Sequence, residues 1–440
     1  MKEKMILGVH DRPKLGKWFA LSFQHVFAMF GATVLVPMLT GLSVSVALFA
    51  SGVGTLIYIL CTKGKVPIYL GSSFAYIAYI QAASSATGGG FGAALTGLAV
   101  VGIVYVLVAL IIKFLGTKWL DKLLPPVIVG PMIMVIGLGL ASTAVKNAGF
   151  VANSDYRIIL VAFLTMLITA ILAIKGKGFL KVIPFLIGIA SGYIVAILIG
   201  LIPNGDFGQL VNFDKVLSVI KNPKEWFMLP DFMILGFKDQ DLFLNVKMVQ
   251  INFAAAVSVL PLAIVTICEH IGDHKVLGKI TGEDYLKDPG LHRTLMGDGI
   301  ATFVASLIGG PANTSYGENT SVVGITKVAS VYVTGGAAVL AIVLSTFNVF
   351  TTLIETIPSA VMGGVCLILY GFIASNGLRT LFDAKVDMTK TRNLIIISVM
   401  LVIGIGGAVI SYNGFSFSGM ALSAVIGIIL NNILPKEENE

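Results

Sequence analysis

Glu269 and Asp273 stand four residues apart in Val265-Thr-Ile-Cys-Glu-His-Ile-Gly-Asp-His274, and Glu318 lies in Asn313-Thr-Ser-Tyr-Gly-Glu-Asn-Thr-Ser321. All three interrupt apolar sequence. On a helix, that spacing puts Glu269 and Asp273 on one face, about 6 Å apart along the axis. Two carboxylates so placed repel when both are ionised, so one holds a proton or the pair attracts a cation. An ionised carboxylate is also a strong acceptor for N–H donors. Acids at membrane depth cost about 2.5–3.5 kcal/mol at a helix centre and mark substrate or ion paths. The chemistry to expect is that of a carrier.

The elements that position these groups are membrane spans. The chain has 440 residues, 56% hydrophobic and only 12% charged, with a mean hydropathy of +0.92, which excludes a large soluble domain. Its 49 glycines suit closely packed and interrupted membrane helices. Cys61, Cys268 and Cys366 are scattered in apolar runs with no metal or CxxC spacing, and read as buried small hydrophobes. No HExxH, GxSxG or cofactor fingerprint is present, so neither an enzyme, a metal site nor a bound cofactor is expected. The net charge of +7 does not call for nucleic acid, because it follows topology.

Hydropathy predicts an all-α polytopic protein of fourteen spans. The first seven lie at roughly 17–39, 44–62, 68–82, 92–113, 123–145, 157–174 and 181–202. The others lie at roughly 248–272, 294–309, 316–330, 332–350, 358–377, 392–410 and 417–434. With the N-terminus (1–16) inside, only Lys146, Arg157, Lys215, Lys221, Lys224, Lys238 and Lys247 of the 30 basic residues fall outside, which places both termini, including 435–440, in the cytoplasm. The polar stretch 203–247 is an external loop separating two halves of seven spans. An odd number per half inverts the second half, giving a 7+7 inverted repeat. The third span of each half, Pro67-Ile-Tyr-Leu-Gly-Ser-Ser-Phe-Ala-Tyr76 and Gly309-Gly-Pro-Ala-Asn-Thr-Ser-Tyr-Gly-Glu318, is rich in Gly, Ser and Pro. Each is expected to be a short extended strand leading into a half-helix, the pattern that points to a midplane binding site.

These segments resemble the nucleobase–cation symporter family that includes the nucleobase–ascorbate transporters, and within it the bacterial uracil permeases. The resemblance runs over essentially the whole chain. Gln24-His-Val-Phe-Ala-Met-Phe-Gly-Ala-Thr-Val-Leu-Val-Pro37 is similar to the family's first span, Tyr69-Leu-Gly-Ser-Ser-Phe74 to its third and Glu269-His-Ile-Gly-Asp273 to its eighth. Tyr316-Gly-Glu-Asn-Thr-Ser-Val-Val-Gly-Ile-Thr-Lys327 covers the signature Gln/Glu-Asn-x-Gly-x4-Thr-Arg/Lys, with Ser321 where that pattern has Gly. The resemblance implies a core domain (17–114 and 248–350), a gate domain (115–202 and 351–434), cation-coupled nucleobase uptake, and a homodimer.

Uracil, the substrate so implied, is a flat ring with two N–H donors and two carbonyl acceptors. Glu269 is the first acceptor expected for it and Glu318, at the start of a half-helix, the second. Free backbone N–H groups near Phe74, Gly317 and Glu318 would donate to the carbonyls. Phe74 and Tyr316 would pack on the ring, and Tyr370 of the gate half would close over it. Gln24, His25 and Asn319 are supporting residues, His25 and Gln24 bracing the core. His270 faces a neighbouring helix, whereas His274 and His292 belong to a solvated inner loop. Asp273 and Glu269 would share the coupling proton. Sodium held by these carboxylates with Ser72 or Thr314 is the competing reading, and a purine or xanthine carrier or an anion exchanger of the same architecture are the other functions to weigh.

Overall fold

Apolar runs ended by glycine or proline become helices here, and the computed structural model describes residues 5–85, 89–181, 183–202, 209–412 and 415–435. The first half carries α1 (Leu15–Thr40), α2 (Val44–Cys61), strand β1 (Leu70–Ser72), α3 (Ile77–Ser85), α4 (Gly90–Leu115), α5 (Lys118–Leu123), α6 (Pro126–Gly139), α7 (Ala141–Asn147), α8 (Tyr156–Lys175) and α9 (Pro184–Gly200). A connecting segment follows with α10 (Asp214–Lys221), β2 (Met233–Gly236), β3 (Gln240–Phe243) and β4 (Val246–Gln250). The second half runs α11 (Ala256–Thr281), α12 (Leu291–Leu307), β5 (Asn313–Ser315), α13 (Gly317–Thr326), α14 (Val331–Ser345), α15 (Asn348–Glu355), α16 (Ser359–Asp383), α17 (Thr391–Ile405), β6 (Val409–Tyr412), β7 (Phe415–Ser418) and α18 (Gly419–Ile433).

Seven of these helices are long and apolar enough to cross a membrane, with α6 and α7 taken together, and α9, α14, α17 and α18 are shorter apolar helices. The chain is a multi-pass membrane protein. Helices α1–α4 pack with α11–α14, and α6–α9 with α16–α18. Close approach needs glycine where α4 crosses α12. A Cβ on Gly102 would lie 2.7 Å from the Gly299 carbonyl oxygen, so each residue lets the other's backbone in.

β1 and β5 pair antiparallel, Leu70 opposite Ser315 and Ser72 opposite Asn313, with every residue buried. Their outer backbone groups would be unpaired in an apolar core. Two threonines supply the partners. Thr55 of α2 accepts from Leu70 N–H at 2.9 Å, its own hydrogen going to the Ser51 carbonyl at 2.8 Å with the Leu70 carbonyl farther off at 3.3 Å. Thr302 of α12 likewise accepts from Asn313 N–H, at 3.2 Å, and donates to the Asn313 carbonyl at 3.0 Å. Tyr316 locks the crossing, its ring lying over Gly71 and its hydroxyl donating to Ser72 O at 2.9 Å. Strands leading into short helices at both interrupted segments are as the sequence predicts.

Three expectations need correction. The segment 203–247 is not a plain loop: among its described residues it carries α10, and its strands form a sheet in the order β2-β4-β3. The alternation there is too short and too polar to register as strands. Residues 203–208, like 1–4 and 436–440, lie outside the described set. The eighth span ends not near 272 but at Thr281, capped by left-handed Gly282. Lys275 and Lys279 look like a loop boundary in hydropathy, yet they sit on the exposed face of the continuing helix. His274 is therefore no solvated loop residue; it is buried inside α11.

The N-terminal residues form a strap. Leu7 bridges Val328 in parallel, Ile6 N–H donates to Lys327 O at 2.8 Å, and Ala329 N–H donates to Leu7 O at 2.9 Å. Arg12 continues it, donating to Tyr332 Oη at 2.7 Å. The strap is thus tied to the junction after α13.

Candidate functional site

The β1–β5 crossing aims two helix starts at the seam between the two helix groups. Phe74 opens the turn after β1, and Glu318 occupies the first turn of α13. Both line a small void with Ala28 and Leu35 of α1, Phe185 of α9, and Val365 and Leu369 of α16. Its volume is only about 10 Å³, room for one water at most, so this seam is shut in the conformation seen. A second face of the same helices is open. Glu269 and Gly272 of α11 and Gly317 and Ser321 of α13 are exposed, and Asp273 and Glu318 are half-buried.

α11 and α13 run side by side. A Cβ on Gly317 would lie 3.8 Å from Asp273 Oδ1, and one on Gly324 would lie 3.3 Å from Ile280 Cδ1. The absence of a side chain at Gly317 keeps the α13 start open beside the Asp273 carboxylate. Glu269, Asp273 and Glu318 thus converge on one crevice, and among the described residues no lysine or arginine pairs with any of them. Helix dipoles and unpaired N–H groups at the α13 start favour negative charge or polar acceptors there. Such an arrangement can accept from ring N–H groups, donate to carbonyls and take up a neutralising cation or proton.

The supporting residues divide. Asn319 Nδ2 donates to His25 O at 3.0 Å and to His25 Nδ1 at 3.1 Å, tying α13 to α1. Gln24 is half-buried on α1 and joins no such brace among the hydrogen bonds described. Tyr316 is buried, and its phenol is spent on Ser72 and Thr33 inside the crossing. Ser72 is fully buried and donates to Thr33 O at 3.2 Å, while the Thr314 hydroxyl is buried with no hydrogen-bond partner among the described residues. Tyr370 lies in an apolar cluster with Leu35, Leu140 and Cys366, against which Phe74 also packs.

One acid escaped the sequence reading. Asp298 on α12 is fully buried, its Oδ2 2.7 Å from His270 Nδ1, in contact also with Ser315 of β5. The criterion that selects Glu269, an acid inside an apolar span, selects Asp298 too. Its Gly-Asp-Gly setting reads as a turn and hides it. Outside the membrane, burial and the neighbouring Glu355 carboxylate raise the pKa of Asp231, which lines a cleft of about 870 Å³ roofed by the segment 231–247.

Comparison with known proteins places this arrangement. The chain is 51% identical to a uracil permease of Bacillus subtilis (strain 168), covering 100% of this chain and 97% of that protein. It is 50% identical to a uracil permease of Bacillus caldolyticus, covering 98% and 95%. In fold it is similar to the transmembrane domain of a cyanobacterium bicarbonate transporter, BicA, with a TM-score of 0.62 at 15% identity over 98% of this chain and 100% of that one. A family described as "Permease family" matches residues 16–412, and the chain belongs to it: a membrane transporter rather than an enzyme.

Proposed function

We propose that this permease imports uracil in symport with protons. The observation that carries the reading is the convergence of Glu269, Asp273 and Glu318 on one crevice at a strand-led helix start, with no lysine or arginine among the described residues to neutralise them. Three carboxylates held so close repel, and the repulsion is relieved by a proton or a metal ion. Uracil's N–H groups find acceptors in Glu269 and Glu318. Its carbonyls find the N–H of Gly317 at the α13 start, and Phe74 offers a ring face. Asp273 and Glu269 share the coupling proton. The names of the two Bacillus relatives support the substrate.

The architecture in this reading is fourteen segments in a 7+7 inverted repeat, with both termini cytoplasmic. The recurring order helix, helix, strand, short helix, helix (α1–α4 and α11–α14) supports it, as does the matched use of Thr55 and Thr302 on the two strands. Residues 17–114 and 248–350 form the core, and 115–202 and 351–434 the gate. Substrate enters where the shut seam beside Phe74 and Glu318 opens between them. An anion exchanger of the same architecture would place a cation or bare helix dipoles at this point; the acids argue against it.

The test is labelled uracil uptake into proteoliposomes under an imposed pH or sodium gradient, with unlabelled xanthine as competitor. Accumulation driven by inward protons and indifferent to xanthine is expected. A strict sodium requirement would overturn the proton reading, and xanthine uptake without uracil uptake would overturn the substrate.

A further inference from the structure

His270 and Asp298 make no contact with the crevice assigned to substrate, yet they form a complete hydrogen-bond logic behind it. His270 Nε2 lies 2.9 Å from Thr294 Oγ1. The Thr294 hydroxyl donates to the Leu291 carbonyl at 3.0 Å, which leaves its oxygen to accept. With that bond made, His270 Nε2 carries a hydrogen; a Thr294 hydroxyl turned to Nε2 instead gives the neutral-histidine alternative weighed below. Only two arrangements then satisfy the 2.7 Å contact between His270 Nδ1 and Asp298 Oδ2. Either an imidazolium donates to a carboxylate, or a neutral imidazole accepts from the O–H of a carboxylic acid. Both are electrically neutral as a pair. The common alternative, a neutral histidine donating to an ionised aspartate, would leave a net charge in the core. It would also leave Asp298 Oδ1 as a carboxylate oxygen buried with no hydrogen-bond partner among the described residues, a strongly disfavoured state.

The neighbour below supports the assignment. His274 Nδ1 donates to the His270 carbonyl at 2.7 Å, so its Nε2 accepts from the Tyr58 hydroxyl. His274 is held neutral, stacked on His270 with ring centres 3.9 Å apart. The titratable groups facing the pair are Glu269, Asp273 and His274 on α11, Tyr58 on α2, Tyr76 on the turn before α3 and Tyr105 on α4. None of them is a lysine or arginine. The Ser315 hydroxyl rests against the bond itself, 3.3 Å from His270 Nδ1 and 3.5 Å from Asp298 Oδ2. Ser315 ends β5, three residues before Glu318.

We infer that His270 and Asp298 hold one proton between them that stays in the protein through transport, and that this neutral pair positions β5 and the start of α13 through Ser315. The first clause rests on the proton-symport reading, since it separates a resident proton from the transported one. His270 and Asp298 are positioning residues, acting on the site through the strand.

Nitrogen-15 spectra of histidine-labelled protein in nanodiscs test the pair, with His270→Gln used for assignment. Expected is a hydrogen on His270 Nε2 that persists, unchanged, from mildly acidic to mildly alkaline pH. A hydrogen on Nδ1 alone, or titration of His270 across that range, would overturn the inference. Thr294→Val, which removes the acceptor with little change of shape, provides the transport arm. The KM for uracil should rise about five-fold, the scale of one lost buried hydrogen bond, while the midpoint of the pH profile of uptake stays at the wild-type value. A displaced midpoint would make the pair a holder of the coupling proton and sink the proposal. If wild-type protein takes up no uracil, the functional reading fails, while the spectra still judge the pair.

Discussion

β1 and β5 are built alike and used differently. Each has three buried residues, each borrows a threonine from the second helix of its half, and each leads into a short helix. Beyond β1 the chain supplies an aromatic, Phe74, and the apolar turns of α3. Beyond β5 it supplies Gly317, Glu318 and Asn319. One backbone frame thus presents an apolar slot from one side and acceptors and free N–H groups from the other. A polar flat ring needs both, and the division puts Glu318 at a helix start where the dipole favours it, with Glu269 and Asp273 facing it from α11.

The comparison breaks most readily at the carboxylates. Glu269→Gln or Glu318→Gln should reduce uracil uptake about a hundred-fold in correctly inserted protein, the upper range for one charge-assisted hydrogen bond. Full uptake by Glu269→Gln in proteoliposomes would falsify the proposed chemistry. Phe74→Ala should be milder, raising KM about five-fold through lost ring packing and leaving the dependence on the pH gradient intact. An equal loss in the Phe74 and Glu318 variants would mean that the two sides are not chemically distinct.

The threonines sharpen the same contrast. Thr55→Val leaves the buried Leu70 N–H unpaired and Thr302→Val both the N–H and the carbonyl of Asn313, and each should cost about 1–3 kcal/mol in thermal or denaturant unfolding. Only Thr302→Val should depress uptake beyond its effect on folded protein, because β5 carries the acid-bearing helix.

The smallest effect lies outside the membrane. Although Asp231 is exposed overall, partial desolvation of its carboxyl in the cleft, with the Glu355 carboxylate nearby, raises it above its ordinary value. The folded chain therefore binds that proton more tightly than the unfolded one does. Its contribution favours the fold at acid pH and is lost as pH rises through the ordinary carboxylate value toward the raised one. Asp231→Asn should flatten the Tm-versus-pH curve over that interval by a degree or so. An unchanged slope would show that Asp231 does not feel that desolvation.

What the sequence made legible follows physical contrast. Glu269, Asp273 and Glu318 stood out because acids are rare in apolar runs, and both strand-led helices were visible as Gly/Ser/Pro breaks at matching positions. The brace from Asn319 to His25 was legible as polar residues within spans, though not as a pair. The matched threonines were not, since Thr55 and Thr302 look like ordinary helix residues until a strand is laid beside them. Asp298 was hidden by its flanking glycines. Tyr316, expected on the substrate, is consumed by the crossing, because the same phenol satisfies either role and only packing decides. The small sheet of 231–250 and the β6–β7 hairpin escaped because their strands are too short for a period to show.

The N-terminal strap has a practical corollary for single-molecule work. Residues 6–9 are hydrogen-bonded to the chain between α13 and α14, so a dye on the exposed residue His10 rides with that junction rather than floating on a tail. Paired with a second dye on exposed Arg379 near the end of α16, it forms a ruler between the two helix groups, built without touching a residue of the crevice.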